Sequence, residues 1–345
     1  MVRQHLQVFF DHSHSFALPI LSLIIAYVLV PMVADEYVIE SLLLPFLALS
    51  LAAVGLNLLT GSAGQLSLGT AAFMAVGAYA AYNIVVRLPG IPMLLAFALG
   101  GLAAALLGIL FGLPSLRLRG FYLAVSTLAA QFFVQWVFTK FSWFSADNSS
   151  GVISAPHLRA FGFVFTDPAA RYLYCLSVVV LLTMAASRLL ATTTGKHFIA
   201  IRDNELVASI IGVPVLQTKI TAFALSSFII GVAGALWAFA YIRTVEPHGF
   251  NLDRSFQILF IIIIGGLGSI RGSFLGSAFI VVLPLLLSRL GSAVFGGSFD
   301  SGVVEMFQRM LVGSLIILFL IVEPEGLVAI MARCGLALRR VFKQA

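Results

Sequence analysis

Ten mostly apolar stretches run through this 345-residue chain, most of them about as long as a bilayer is thick. About 20 apolar residues are needed to cross a hydrocarbon core of roughly 30 Å. No water is available there, so backbone N–H and C=O groups must be satisfied by the protein itself, and helices are the expected element. The stretches are Phe16–Ala34, Val38–Thr60, Ser67–Val86, Ile91–Leu113, Phe121–Phe141, Tyr172–Leu190, Thr221–Ile242, Ser255–Gly268, Phe274–Leu290 and Val304–Val322. They are continuous rather than alternating, which argues against an outer-membrane barrel. The expected class is therefore an all-α polytopic membrane protein with about ten transmembrane helices.

Composition closes the remaining options. Only 10% of the residues are charged and 61% are hydrophobic, too few charges to cover a water-facing surface. Residues 1–345 read as one transmembrane domain, with an external loop over about 142–170 and a cytoplasmic loop over about 192–219. With both termini in the cytoplasm, 12 of the 20 Lys and Arg residues lie inside, which sets the expected orientation. The net charge of +6 then reads as cytoplasmic anchoring rather than nucleic-acid binding. The first stretch has only Arg3 before it and a poor cleavage site at Met32-Val33-Ala34, so it reads as a retained span rather than a signal peptide.

Chemistry is sparse. The centres of the ten stretches hold no Asp, Glu, Lys, Arg or His, so neither a proton relay nor a voltage sensor is expected. No phosphate-binding loop occurs: Gly195-Lys196 is followed by His197. His12 and His14 beside Asp11 read as a solvated tail, and Cys175 and Cys334 make neither a disulfide framework nor a metal motif. No catalytic residue, metal or cofactor is expected. The buried polar residues are neutral: Asn57, Gln65, Gln131 and Gln135. Any transport work must then be powered by a partner or by a gradient.

Two glycine-rich interruptions stand out. One contains Gly61, Ser62, Gly64, Gln65, Ser67 and Gly69; the other contains Gly265, Gly266, Gly268, Arg271 and Gly272. Non-helical backbone at membrane depth is tolerated only beside protein or a water-filled cavity, so these segments, with Asn57, are candidates for a polar translocation path. Close helix packing through small residues is the alternative.

The loop from Gly195 to Pro214 reads as a short helix. Asp203 or Asn204 can cap it, Glu205 complements its dipole, and Gly212 with Pro214 stops it. Leu206/Ile210 and Val207/Ile211 are i,i+4 pairs that give the helix an apolar stripe. Two turns are too short to stand alone, so this stripe must lie against something: the chain's own spans, the lipid interface, or a groove on a partner.

At this point a resemblance enters. Thr60-Gly61-Ser62-Ala63-Gly64-Gln65-Leu66-Ser67-Leu68-Gly69 resembles the signature of branched-chain amino acid ABC-transporter permeases of the M type. Four further blocks agree in order: Arg119-Gly120-Phe121-Tyr122-Leu123-Ala124, Ala200-Ile201-Arg202-Asp203-Asn204-Glu205, Gly265-Gly266-Leu267-Gly268-Ser269-Ile270-Arg271-Gly272 and Glu323-Pro324-Glu325-Gly326-Leu327. The resemblance implies an ABC importer permease in the bacterial inner membrane. It also implies a second, H-type permease subunit, two ATP-binding subunits that carry the nucleotide, and an external substrate-binding protein. It places an ATPase-coupling loop at Arg202, Asp203, Asn204, Glu205, Leu206, Ala208, Ile210 and Gly212. One departure is Asp147-Asn148-Ser149-Ser150-Gly151, where similar permeases often carry Gly-Gly-x-x-Gly. The implied solutes are branched-chain or other hydrophobic amino acids, with urea, short amides or aromatic acids as alternatives. A Na⁺-coupled secondary transporter is the alternative from a different class.

Overall fold

The computed structural model describes residues 23–88, 90–113, 121–145, 152–160 and 163–295, with scattered positions between 306 and 333. Among the described residues a helical segment, residues 25–33, precedes ten helices from Glu36 onward: α1 Glu36–Ser62, α2 Thr70–Arg87, α3 Met93–Gly112, α4 Phe121–Lys140 and α5 Pro168–Ala191, then α6 Thr193–Asp203, α7 Glu205–Ile210, α8 Val215–Ile242, α9 Leu252–Gly265 and α10 Ile270–Phe295. Two-residue antiparallel ladders decorate the connections. β1 Ile153–Ser154 pairs with β4 Thr244–Val245, and β2 Arg159–Ala160 with β3 Phe163–Val164.

Among the described residues six helices are long and apolar enough to cross a membrane: α1, α3, α4, α5, α8 and the first part of α10. Ten spans are thus not reproduced, for three reasons. Of Phe16–Ala34 only residues 23–34 are described, helical but too short to cross a membrane, and most of Val304–Val322 lies outside the described residues. The stretch expected at Ser67–Val86 becomes helical only at Thr70, because residues 64–69 leave helical geometry. The stretch expected at Ser255–Gly268 is a helix of 14 residues, about 21 Å long at 1.5 Å per residue.

α1 and α8 form the centre, with 83% of each span buried, whereas α3 and α4 each bury 39%. Their exposed faces carry Leu102, Leu106 and Leu110 on α3 and Phe132, Phe133 and Trp136 on α4, the apolar surface that a lipid-facing helix presents. Burying apolar side chains adds little when lipid is the solvent, so close backbone approach takes over as the packing device. Three helices meet at Gly77 on α2, Gly100 and Gly101 on α3 and Gly231 on α8. A Cβ on Gly77 would overlap the Gly231 carbonyl, and one on Gly234 would overlap the Met74 backbone. Gly55 on α1 packs against α8 in the same way, and Ser226 Oγ donates to its carbonyl at 2.6 Å.

One end of the bundle is closed by charge. Glu40 on α1 pairs with Arg171 on α5 and with Arg243, which ends α8 at a left-handed φ of 61°. The β1–β4 ladder joins the same end, where Ala155 N donates to the Arg243 carbonyl at 2.9 Å.

α2 starts part-way along α4 rather than at either end. Leu68 N donates to Thr127 Oγ1 at 2.9 Å, Ala71 N to Ser255 Oγ at 2.9 Å and Ala72 N to Gln131 Oε1 at 2.6 Å. Side chains of α4 and α9 therefore satisfy the free N–H groups that a helix start leaves.

The Gly77–Gly231 crossing generates a prediction. Gly77→Val lowers the unfolding free energy of the purified protein by about 3 kcal/mol through overpacking. Gly313→Ala, whose added methyl meets nothing within 4 Å, leaves it unchanged. A thermal melt in detergent reads the difference.

Candidate functional site

Where α1 ends, its last turn widens into a π turn over Asn57–Ser62, and Asn57 points across to the second glycine break. That break runs from Gly266, at φ 119°, to Gly268, at φ 79°, two values open to glycine at low cost. Leaving the helix frees both donors and acceptors, and a carboxamide can answer both kinds. Asn57, 3% exposed, does so: its Nδ2 donates to the Ser269 carbonyl at 2.8 Å and to Ser273 Oγ at 3.1 Å. Its Oδ1 accepts from Gly268 N at 2.7 Å. Gly61 completes the joint, since a Cβ there would overlap Gly268 N.

Arg202, in the last turn of α6, lies against the same joint. Its Nη1 donates to the Gly61 carbonyl at 3.0 Å. Its stem covers Gly64, where a Cβ would sit 2.9 Å from Cγ, and its Nη1 reaches within 3.4 Å of a Cβ built on Gly268. Asp203 Oδ1 accepts from both Nε (3.1 Å) and Nη2 (3.0 Å), which holds the guanidinium in one orientation. One side chain thus touches both glycine breaks.

α7 follows at once. Asn204 is its cap, with Oδ1 accepting from Leu206 N at 3.0 Å and Val207 N at 3.1 Å. The helix stops in a Schellman pattern: Val213 N donates to Ala208 O at 2.9 Å and Gly212 N to Ser209 O at 3.2 Å, with Gly212 at φ 91°. Ala208 faces inward and is 1% exposed, while Leu206, Val207, Ile210 and Ile211 face out, Ile210 at 82%. Four apolar side chains on so short a helix form a surface rather than a core.

Comparison with known proteins matches residues 38–320 to the family described as branched-chain amino acid transport system / permease component. The chain belongs to this family. Similar proteins include the high-affinity branched-chain amino acid transport system permease proteins LivM of Salmonella typhimurium and Escherichia coli, each 29% identical over 297 residues, 79% of this chain. The chain spans 66% of the length of those two relatives. An autoinducer 2 import system permease protein, LsrC of an Enterobacter strain, is 26% identical over 71% of this chain and 69% of its own. No solved structure matches.

Within this ABC-transporter permease, the remaining candidates take clear places. Ser62 and Asn57 line a pocket of about 10 Å³ with Val54, Leu190 and Gly268, room for a single water. The Gln65 backbone caps the end of α1, its N–H donating to Leu59 O at 3.0 Å and its carbonyl accepting from Thr60 Oγ1 at 3.1 Å. Ser67 Oγ accepts from Gly69 N at 3.4 Å, and Gly69 packs on the Thr127 backbone. Gly265 packs on the Gly272 carbonyl, and Gly326, in the last quoted sequence block, packs on Gly266 N. Residues Asp147–Gly151 lie outside the described residues.

Three features escaped the sequence. α6, Thr193–Asp203, was not expected as a separate helix, since the sequence reading starts the loop's short helix at a cap on Asp203 or Asn204. Asp203 does not cap α7; it clamps Arg202. Glu205 does more than complement a dipole: its Oε1 pairs at 2.9 Å with Lys219 Nζ on α8, whose side chain is only 2% exposed. No charged residue lies between Glu205 and Lys219, but their pairing could not be read from spacing.

Removing one member of a buried pair strands the other. Glu205→Gln is expected to lower stability by about 3 kcal/mol. The swapped double variant Glu205→Lys/Lys219→Glu recovers part of that loss in a thermal melt. Glu205→Lys alone would therefore report on stability as well as on docking.

Proposed function

We propose that this permease is the membrane-spanning half of an ATP-driven importer in a bacterial inner membrane, moving branched-chain or other hydrophobic amino acids. It does no covalent chemistry. Its partners are a second permease subunit, two ATP-binding subunits on the cytoplasmic side and an external substrate-binding protein. The observation that carries this reading is the sequence of contacts from α7 through Arg202 to the two glycine breaks. α7 offers an apolar face outward and is braced inward by Ala208 and the Glu205–Lys219 pair. Arg202, three residues before α7, donates to Gly61.

The ATP-binding subunit seats α7 in a groove, and its closure moves α7 and α6 together. Arg202 passes that displacement to the joint of Gly61, Gly64 and Gly268, which opens the path to one side or the other. Asn57, Ser62, Gln65, Ser67, Gly69, Gly265 and Gly266 flank the moving joint. Full switching needs the two states to differ in partner affinity by about 5.5 kcal/mol.

Two variants separate docking from transmission. Ile210→Asp puts a charge on the exposed face without touching the interior. Reconstituted with the partner subunits, it is expected to lower both solute-stimulated ATP hydrolysis and uptake about tenfold, by charging an apolar contact. Arg202→Ala is expected to leave hydrolysis near normal while uptake falls, the signature of lost transmission. Normal uptake in both variants would overturn this reading. A Na⁺-coupled carrier is the second class, and the chain reconstituted alone decides it: solute accumulation driven by a Na⁺ gradient without ATP would favour that class. The autoinducer 2 relatives make a sugar-like solute the alternative cargo.

A further inference from the structure

Three cations among the described residues are drawn into the protein: Arg171, Lys219 and Arg254. Two bring their own counter-charge. Arg171 pairs with Glu40, and Lys219 pairs with Glu205. Arg254 differs: none of the ion pairs among the described residues includes it, and the adjacent carboxylate of Asp253 acts on it only electrostatically, without a direct bond. Its side chain donates through Nη1 to the neutral amide of Gln257.

The surroundings of Arg254 are aromatic. Its guanidinium carbon lies 4.1 Å from the centre of the Trp237 ring, and the Tyr241 ring centre lies 4.6 Å from that of Trp237. Trp237 is 3% exposed and opens the π turn Trp237–Ile242, where α8 departs from regular geometry. π turns recur at functional sites because they re-aim side chains. Arg254 is held from the other side: Asn251 caps α9 and accepts from Arg254 N at 3.1 Å.

Two donors at this spot lack acceptors. The Arg254 Nε–H and the Trp237 indole N–H are both buried, and neither has a hydrogen-bond partner. Leaving a buried donor unpaired is costly. A drawn-in cation beside two unanswered N–H groups suits a planar anion with two oxygens. A carboxylate meets that demand best.

We propose that Arg254 and Trp237 form a solute-recognition site that takes the carboxylate of a small organic acid, such as the α-carboxylate of an amino acid. This rests on the import reading above and narrows its cargo. A carboxylate-bearing solute satisfies the site, whereas urea, short amides and sugars bring it no anion. The same carboxylate chemistry could come from a side chain of a neighbouring subunit, and the test separates the two sources.

The test uses the full chain in lipid nanodiscs without partners or ATP, so it stands or falls independently of coupling. The chain has 3 tryptophans, and Trp136→Phe with Trp143→Phe leaves Trp237 as the fluorophore. L-leucine is expected to change its fluorescence saturably. L-leucinol, which lacks the carboxylate, should bind about tenfold more weakly, the loss expected for a charged hydrogen bond. Arg254→Gln abolishes the response, and Arg254→Lys keeps part of it, because a point charge replaces the planar fork. Acetate competing with leucine also supports the site. Equal responses to leucine and leucinol would overturn the proposal, as would an undiminished response in a folded Arg254→Gln chain. If neither leucine nor acetate alters Trp237 at millimolar concentration, free carboxylates are not its ligand, and the acceptor comes from a neighbouring subunit. Should Arg254→Gln fail to fold, the leucine–leucinol comparison on unaltered Arg254 decides alone.

Discussion

Inside a bilayer, a peptide group that leaves its helix finds no water, and much of this structure follows from how that demand is met. The two glycine breaks would each strand several donors and acceptors. They are folded onto one another, and the Asn57 carboxamide bonds to Gly268 N, Ser269 O and Ser273 Oγ. At the start of α2 the same demand is met by Thr127, Gln131 and Ser255. The neutral polar residues of the spans are therefore the fittings of an interrupted helical framework.

Around this joint the bundle is stiff. The Gly77, Gly100 and Gly231 crossings bring backbone against backbone, and packed backbones do not deform gradually. A displacement applied at α6 and α7 has few places to be absorbed. The glycine joint is the exception, because its backbone has already left the helical ladder and Gly266 and Gly268 tolerate more than one conformation. In the import reading proposed above, this joint is where motion passed on from α7 is taken up.

Charge is placed with the same economy. Glu40, shared by Arg171 and Arg243, ties three chain segments at one end of the bundle, and Glu205 with Lys219 anchors α7 onto α8 at the other. Each pair spends an otherwise unfavourable burial on fixing geometry, the role in which buried ion pairs are best attested. Against these direct pairs, Arg254 is held among the described residues by an aromatic face and an amide, with Asp253 acting on it only electrostatically.

The amino-acid order by itself determined that the chain is helical and membrane-embedded, because apolar runs of that length have no other stable solution. It also determined where α7 begins and ends, since the Asn204 cap and the Gly212 stop are interactions between residues a few positions apart. The rest needed the tertiary fold. Asn57 meets its partners 209 to 216 positions away, Arg202 meets Gly61 141 positions away, and Glu205 meets a lysine that looks like loop in the sequence. Local spacing carries no record of such distant pairings. Likewise the irregular backbone at Ser67–Gly69 is stabilised by Thr127 on α4, so its departure from a helix was decided by packing rather than by propensity.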